Sequence, residues 1–140
     1  MFNPTRDQSR LFIFNTWEKS KASMPLTDLE SKMLEIIVRH PEYHLILDHP
    51  NRFQEKDFSP ESGQPNPFLH MNLHLALREM LDIDQPVGVR AEFDNLCQKT
   101  QDLHDAEHIL LERIAEMIWH SQRYNTAPDD RFLFSQPLEQ

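Results

Sequence analysis

The chain has 140 residues, with 14 lysines and arginines against 23 aspartates and glutamates for a formal charge of −9, and it holds 8 histidines, 10 prolines, 2 glycines and a single cysteine. That length supports one hydrophobic core, and the acidic excess repels phosphate backbones and anionic lipid heads, so nucleic acid and membrane surfaces are excluded as expected partners. A lone cysteine, Cys97, excludes an internal disulfide or a cysteine-based zinc cluster within the chain, and no apolar run exceeds the four residues Leu11 to Phe14, far short of a membrane span.

With 2 glycines, tight hairpin turns are scarce, and no stretch alternates apolar and polar residues, so strands are not expected. In chain order, Asn3-Pro4 can cap a first helix to about Lys21, with Leu11, Phe14 and Trp17 on one side. Thr27 with Glu30 three residues on predicts a capping box for a second helix whose buried stripe is Met33, Leu34, Ile37 and Val38. That helix ends near His40, because proline at 41 disfavours helical geometry in the residue before it, and a further turn or two follows from Glu42 to Leu47. Residues 48–66 hold Pro50, Pro60, Gly63 and Pro65 without periodicity and read as a long middle loop.

Asn66-Pro67 repeats the cap-plus-proline signal and opens a third helix, Phe68 to about Ile83, apolar at Leu69, Leu73, Ala76, Leu77 and Met80. Pro86 is expected to start a fourth helix with Val89, Phe93, Leu96 and Cys97 on one face, and Asp102 to cap a fifth that runs to about Tyr124. The prediction is an all-α, single-domain helical bundle of about five helices over residues 1–126, with a tail at 127–140 whose Phe132, Leu133 and Phe134 dock as a short helix.

Several stretches, MFNPTRDQSR, HPEYH, NPFLHMNLHLALREML, IDQPVGVR and EMIWHSQR, together resemble a family of small bacterial proteins, domain of unknown function 1841. The resemblance reaches to about residue 125 and implies a cytoplasmic bacterial protein. It carries no catalytic residues, so any chemistry has to be read from this chain.

Six of the histidines form three pairs four positions apart: His40 and His44, His70 and His74, His104 and His108. Random placement would give roughly 0.4 such pairs, so the spacing is enriched. Four residues is just over one helical turn, which puts both rings on one face, about 6 Å apart between β-carbons, within reach of one metal ion. Neutral imidazole suits zinc and iron, and bundles build metal sites from side chains on facing helices.

On the fifth helix Glu107 projects about 20° from the centre of the apolar stripe, with His104 and His108 at its margin. A carboxylate there requires a cation, a hydrogen bond or a proton. The metal reading therefore assigns His70, His74, His104, His108 and Glu107 to one divalent ion, zinc or iron, with Glu107 as ligand or as the acceptor that orients an imidazole. The structural readings stand beside it. Histidines at the edge of an apolar stripe serve as hydrogen-bonded boundary residues, His40 can terminate its helix, and His44 lies past the proline break. Glu107 can pair with Arg78 or Arg113, or accept a hydrogen bond from Tyr43, Tyr124 or a tryptophan.

His104-Asp105-Ala106-Glu107-His108 also fits the H-x-x-E-H string of inverzincin proteases, but without room downstream for their third ligand. The His104, His108 and Glu112 spacing mimics hemerythrin-type bundles as an analogy. No phosphate loop or nucleophile elbow exists, and Cys97 reads as core. The competing function is a metal-free interaction module or homodimer that presents its apolar faces and the tail around Phe132 to Phe134.

Overall fold

A computed structural model describes residues 5–58 and 66–134. Among these residues there is no strand, and the chain forms seven α-helices: α1 (Arg6–Lys21), α2 (Asp28–Val38), α3 (His44–Leu47), α4 (Pro50–Phe53), α5 (Pro67–Ile83), α6 (Val89–Thr100) and α7 (Leu103–Tyr124), with 3-10 turns at Pro41–Tyr43 and Asp130–Leu133. The all-α class holds, and five of the helices are the long ones expected. The count of about five left out α3, which falls within the turn or two expected from Glu42 to Leu47, and α4, a single turn inside the expected loop that hydrophobic periodicity is too coarse to resolve. The chain falls into two compact units, Met1–Leu75 and Ala76–Gln140, with α5 beginning in the first and continuing into the second.

In the first unit, α1 is capped at Thr5, whose hydroxyl accepts from the Gln8 amide while the Gln8 side chain accepts from the Thr5 amide. The expected Asn3-Pro4 start lies outside the described residues, and the capping role falls to Thr5, two residues after Asn3. The buried face of α1 is Ile13 and Phe14; Leu11, read on one side with Phe14 and Trp17, is 52 % exposed. The Thr27–Glu30 capping box of α2 is present as expected, and its buried stripe is Met33, Ile36 and Ile37, rotated away from Val38, which is 59 % exposed. These side chains meet Leu47 and, from α5, Phe68, Met71 and Leu75. Each such side chain contributes about 1.5–3 kcal/mol on burial.

One cation sits inside this unit. Arg10 is 2 % exposed, packs its guanidinium 4.6 Å from the Phe68 ring centroid, and donates through Nη1 to the carbonyls of Phe53, Gln54 and Lys56 at 3.3, 3.1 and 2.7 Å. The middle segment that reads as loop in the sequence thus contains α4, and its carbonyls are tied to α1 by hydrogen bonds from the Arg10 side chain. Its Pro60, Gly63 and Pro65 lie outside the described residues.

Asn66 caps α5 as expected, its Oδ1 accepting from the amides of Phe68 and Leu69. The expected stripe of α5 is turned: Phe68, Met71, His74, Leu75 and Leu77 are buried, whereas Leu69 is 56 % exposed and Ala76 faces outward.

In the second unit Pro86 does not open α6. It lies in a turn where Asp84 accepts from the amides of Gly88 and Arg90, and Gly88, at φ +98°, is the residue before the helix. Arg90 reaches back to accept this geometry on the other side, donating to the carbonyls of Leu81 and Asp82 at the end of α5. Gln101 closes α6 in the left-handed region, and Asp102 caps α7 by accepting from His104 and Asp105 amides. Val89, Leu96, Ala106, Leu110, Leu111 and Ile114 pack with Leu133 of the C-terminal turn, whose carbonyl accepts from Arg113 at 3.1 Å. Of the expected tail, Asp130–Leu133 forms a 3-10 turn, and residues 135–140 lie outside the described residues. Cys97 is half-buried, and burial pushes its thiol up from the usual range, the opposite of activation.

Candidate metal centre

The end of α2 sets the first part of the centre. His40 is the last residue before Pro41, so its backbone leaves the helix at φ −125° and the chain turns through Pro41–Tyr43, closed by the Tyr43 amide donating to the His40 carbonyl at 2.9 Å. The buried His40 ring folds back and donates through Nδ1 to the Ile36 carbonyl at 2.7 Å. A carbonyl only accepts, so this bond puts the proton of the neutral ring on Nδ1 and the lone pair on Nε2. One turn further on, His44 donates through Nε2 to the Ile37 carbonyl at 2.8 Å and stacks on Trp17, with ring centroids 4.5 Å apart. Both histidines thus add a side-chain bond to C-terminal carbonyls of α2 that already accept from the Arg39 and His40 amides.

The second part comes from α5. His70 and His74 stand four residues apart on one face, and His74 is only 1 % exposed, inside the buried arc where the sequence placed it at the flank. Nε2 of His70 lies 3.2 Å from Nε2 of His40 and 3.2 Å from Nε2 of His74, and the three nitrogens lie within 4.8 Å of one another. The His70 ring is close to perpendicular to both others, at 78° to His40 and 80° to His74, while His40 and His74 meet at 63°. Tyr43 stacks parallel to His40 with centroids 5.4 Å apart and meets His70 edge-on at 6.2 Å. Burial pushes its phenol up from the ordinary value, so the hydroxyl stays protonated at neutral pH.

Three inward-turned nitrogens constrain where the hydrogens lie. Each 3.2 Å contact needs a hydrogen along it, and Nε2 of His70 carries either a hydrogen or a lone pair. Neutral rings therefore satisfy both contacts only by sharing one Nε2–H of His70 between two lone pairs; a metal ion held by three lone pairs takes the place of that shared hydrogen. In a tetrahedral zinc site with nitrogen bonds near 2.0–2.1 Å, neighbouring ligand nitrogens are about 3.3 Å apart. The two 3.2 Å contacts match that edge.

The remaining candidates lie on α7, in the second unit. His104 and His108 are half-buried and stack edge-to-face with centroids 4.2 Å apart, and His108 donates through Nδ1 to the His104 carbonyl at 3.0 Å. Glu107 is buried, with Oε2 3.3 Å from Nε of Arg78, so the guanidinium considered as its alternative partner is in place. The sequence reading set His40 aside as a helix terminator. It is one, and its other nitrogen joins the cluster; the spacing to His44 does not signal this, because His44 turns to the Ile37 carbonyl and Trp17 instead.

No helix among the described residues is long and apolar enough to cross a membrane. A helical protein with a buried cluster of imidazoles is the class that this architecture defines. Residues 5–137 match the family model described as a domain of unknown function, DUF1841, and the chain belongs to that family. No curated protein and no solved structure matches it.

Proposed function

We propose that the protein binds a divalent metal ion through Nε2 of His40, His70 and His74. The observation that carries the reading is the pair of 3.2 Å contacts centred on His70 Nε2, at tetrahedral-edge spacing and with a donor geometry at His40 that aims its lone pair inward. The group contains only imidazole nitrogens, which favours zinc or iron(II) over magnesium or calcium, ions that take oxygen ligands. We extend the proposal to a protein of the bacterial cytoplasm on its single cysteine, which suits a reducing compartment, and on its resemblance to small bacterial proteins.

Protein purified without a histidine tag should carry near-stoichiometric zinc or iron by elemental mass spectrometry. His40→Ala, His70→Ala and His74→Ala should each lose it, while His49→Ala, at an exposed ring that donates to the Leu45 carbonyl, should retain it. The same assay on His104→Ala and His108→Ala reports whether either ring contributes. Metal-free protein that takes up neither ion, or retention of metal by the His40 and His74 variants, overturns the proposal.

One observation favours the interaction module instead: Trp119 and Tyr124 on α7 are 58 % and 56 % exposed. Light scattering of the full chain and of a Trp119→Ser variant tests it, since self-association that the substitution abolishes would make α7 the contact face.

A further inference from the structure

We infer that Tyr43 is a positioning residue for the metal centre: its ring, stacked on His40 and set edge-on to His70, holds two of the three imidazoles in the orientation that the ion requires. The inference rests on the metal reading above. Its ground is local geometry. The Pro41–Tyr43 turn places residue 43 beside residue 40, and the turn is closed by the Tyr43 amide on the His40 carbonyl, so ring follows ring at a fixed offset. Tyr43 and His40 are parallel to within 4°, at 5.4 Å between centroids. The Ile36 carbonyl restrains the His40 ring at Nδ1 but leaves rotation about that hydrogen bond open; a flat aromatic wall along the ring face removes it. The same wall meets His70 at 75°, so a single side chain restrains one ligand from the end of α2 and one from α5.

The hydroxyl is not needed for this, because the contacts are made by the ring. Partners that orient metal-bound imidazoles are worth about 10- to 100-fold in affinity. Tyr43→Phe should therefore bind zinc within about twofold of the native chain in chelator competition, while Tyr43→Ala and Tyr43→Leu should bind about 10- to 100-fold more weakly. Circular dichroism checks that each variant is folded, and Leu keeps the burial if Ala does not fold.

A second readout separates positioning from general loosening. In metal-free protein, nitrogen-15 NMR of the histidine rings should show His40 held with its proton on Nδ1, and Tyr43→Leu should average His40 between tautomers while leaving His49 unchanged. Equal zinc affinity in Tyr43→Leu, or a loss in Tyr43→Phe as large as in Tyr43→Leu, overturns the inference. A native chain that binds no zinc yet shows the Tyr43-dependent His40 tautomer refutes the metal reading and with it the metal role of Tyr43, leaving the ring contact as a structural one.

Discussion

Nε of Arg78 stands 3.3 Å from Oε2 of Glu107, and the two side chains are 15 % and 8 % exposed. This is the pair that gives the most polar residue of the α7 stripe its counter-charge. Removing the guanidinium takes this counter-charge from a buried carboxylate, so Arg78→Met should cost up to about 3–5 kcal/mol in urea unfolding. The double variant Arg78→Met with Glu107→Leu should recover most of that loss, because exchanging both charges for apolar groups is close to neutral. A double variant as unstable as the single one would mean that the pair contributes more than mutual neutralisation.

The capping box of α2 carries a pH dependence. The Lys19 ammonium, 2.9 Å away, and then the Thr27 amide hold the Glu30 carboxyl below the usual carboxylate range. A group whose folded pKa is depressed contributes stability above its unfolded pKa and loses it as pH falls through the folded one. Thr27→Ala should cost about 1 kcal/mol at neutral pH. The stability difference between the native chain and Glu30→Gln should be present at pH 7 and shrink as pH falls through and below the ordinary carboxylate range, read from unfolding curves at stepped pH.

Metal should also act on folding. His40 and His70 are 30 positions apart, so an ion that bridges them closes the whole middle segment into a loop. At free zinc 100-fold above the dissociation constant, stability should rise by about 2.7 kcal/mol, and chelator should return the melting temperature to that of the metal-free chain. His74→Ala should show no zinc-dependent rise.

At Gly88 the φ of +98° is what matters. A β-carbon there would meet the Phe134 ring at Cε1, 3.5 Å away, and Cζ, 3.8 Å away, both ordinary contacts, so space is available and backbone geometry is not. Gly88→Ala should therefore destabilise by about 1–2 kcal/mol in thermal or urea unfolding, the cost of left-handed geometry for a residue with a side chain. A neutral result would show that the turn before α6 relaxes to negative φ.

The elements most legible in the sequence were those whose ends are written in side chains: Thr27–Glu30, Asn66 and Asp102 each cap the helix they were expected to cap. Rotation of a helix about its axis was less legible. Val38 and Leu69 look as apolar as their neighbours but face outward, because which arc is buried depends on what packs against it, and short windows tolerate a turn of 40–60°. Pro86 misled for a related reason: the proline signal marks a break in regular structure, and only Gly88 and the Asp84 carboxylate decide where the next helix begins. In the candidate centre the His70 and His74 pair was visible as a spacing. His40 was not, because its approach depends on the Pro41 turn, which has no periodicity to read.

Most helices that end in a left-handed residue use glycine, yet here Ser23, Gln101 and Asn125 take that conformation with φ between 52° and 58°. Asparagine tolerates it; serine and glutamine less so. The junction of α6 and α7 therefore holds an unclaimed margin for thermal hardening. Gln101→Gly, which keeps the Asp102 cap intact, should raise stability by about 1 kcal/mol, inverting the usual rule that glycine loosens a fold.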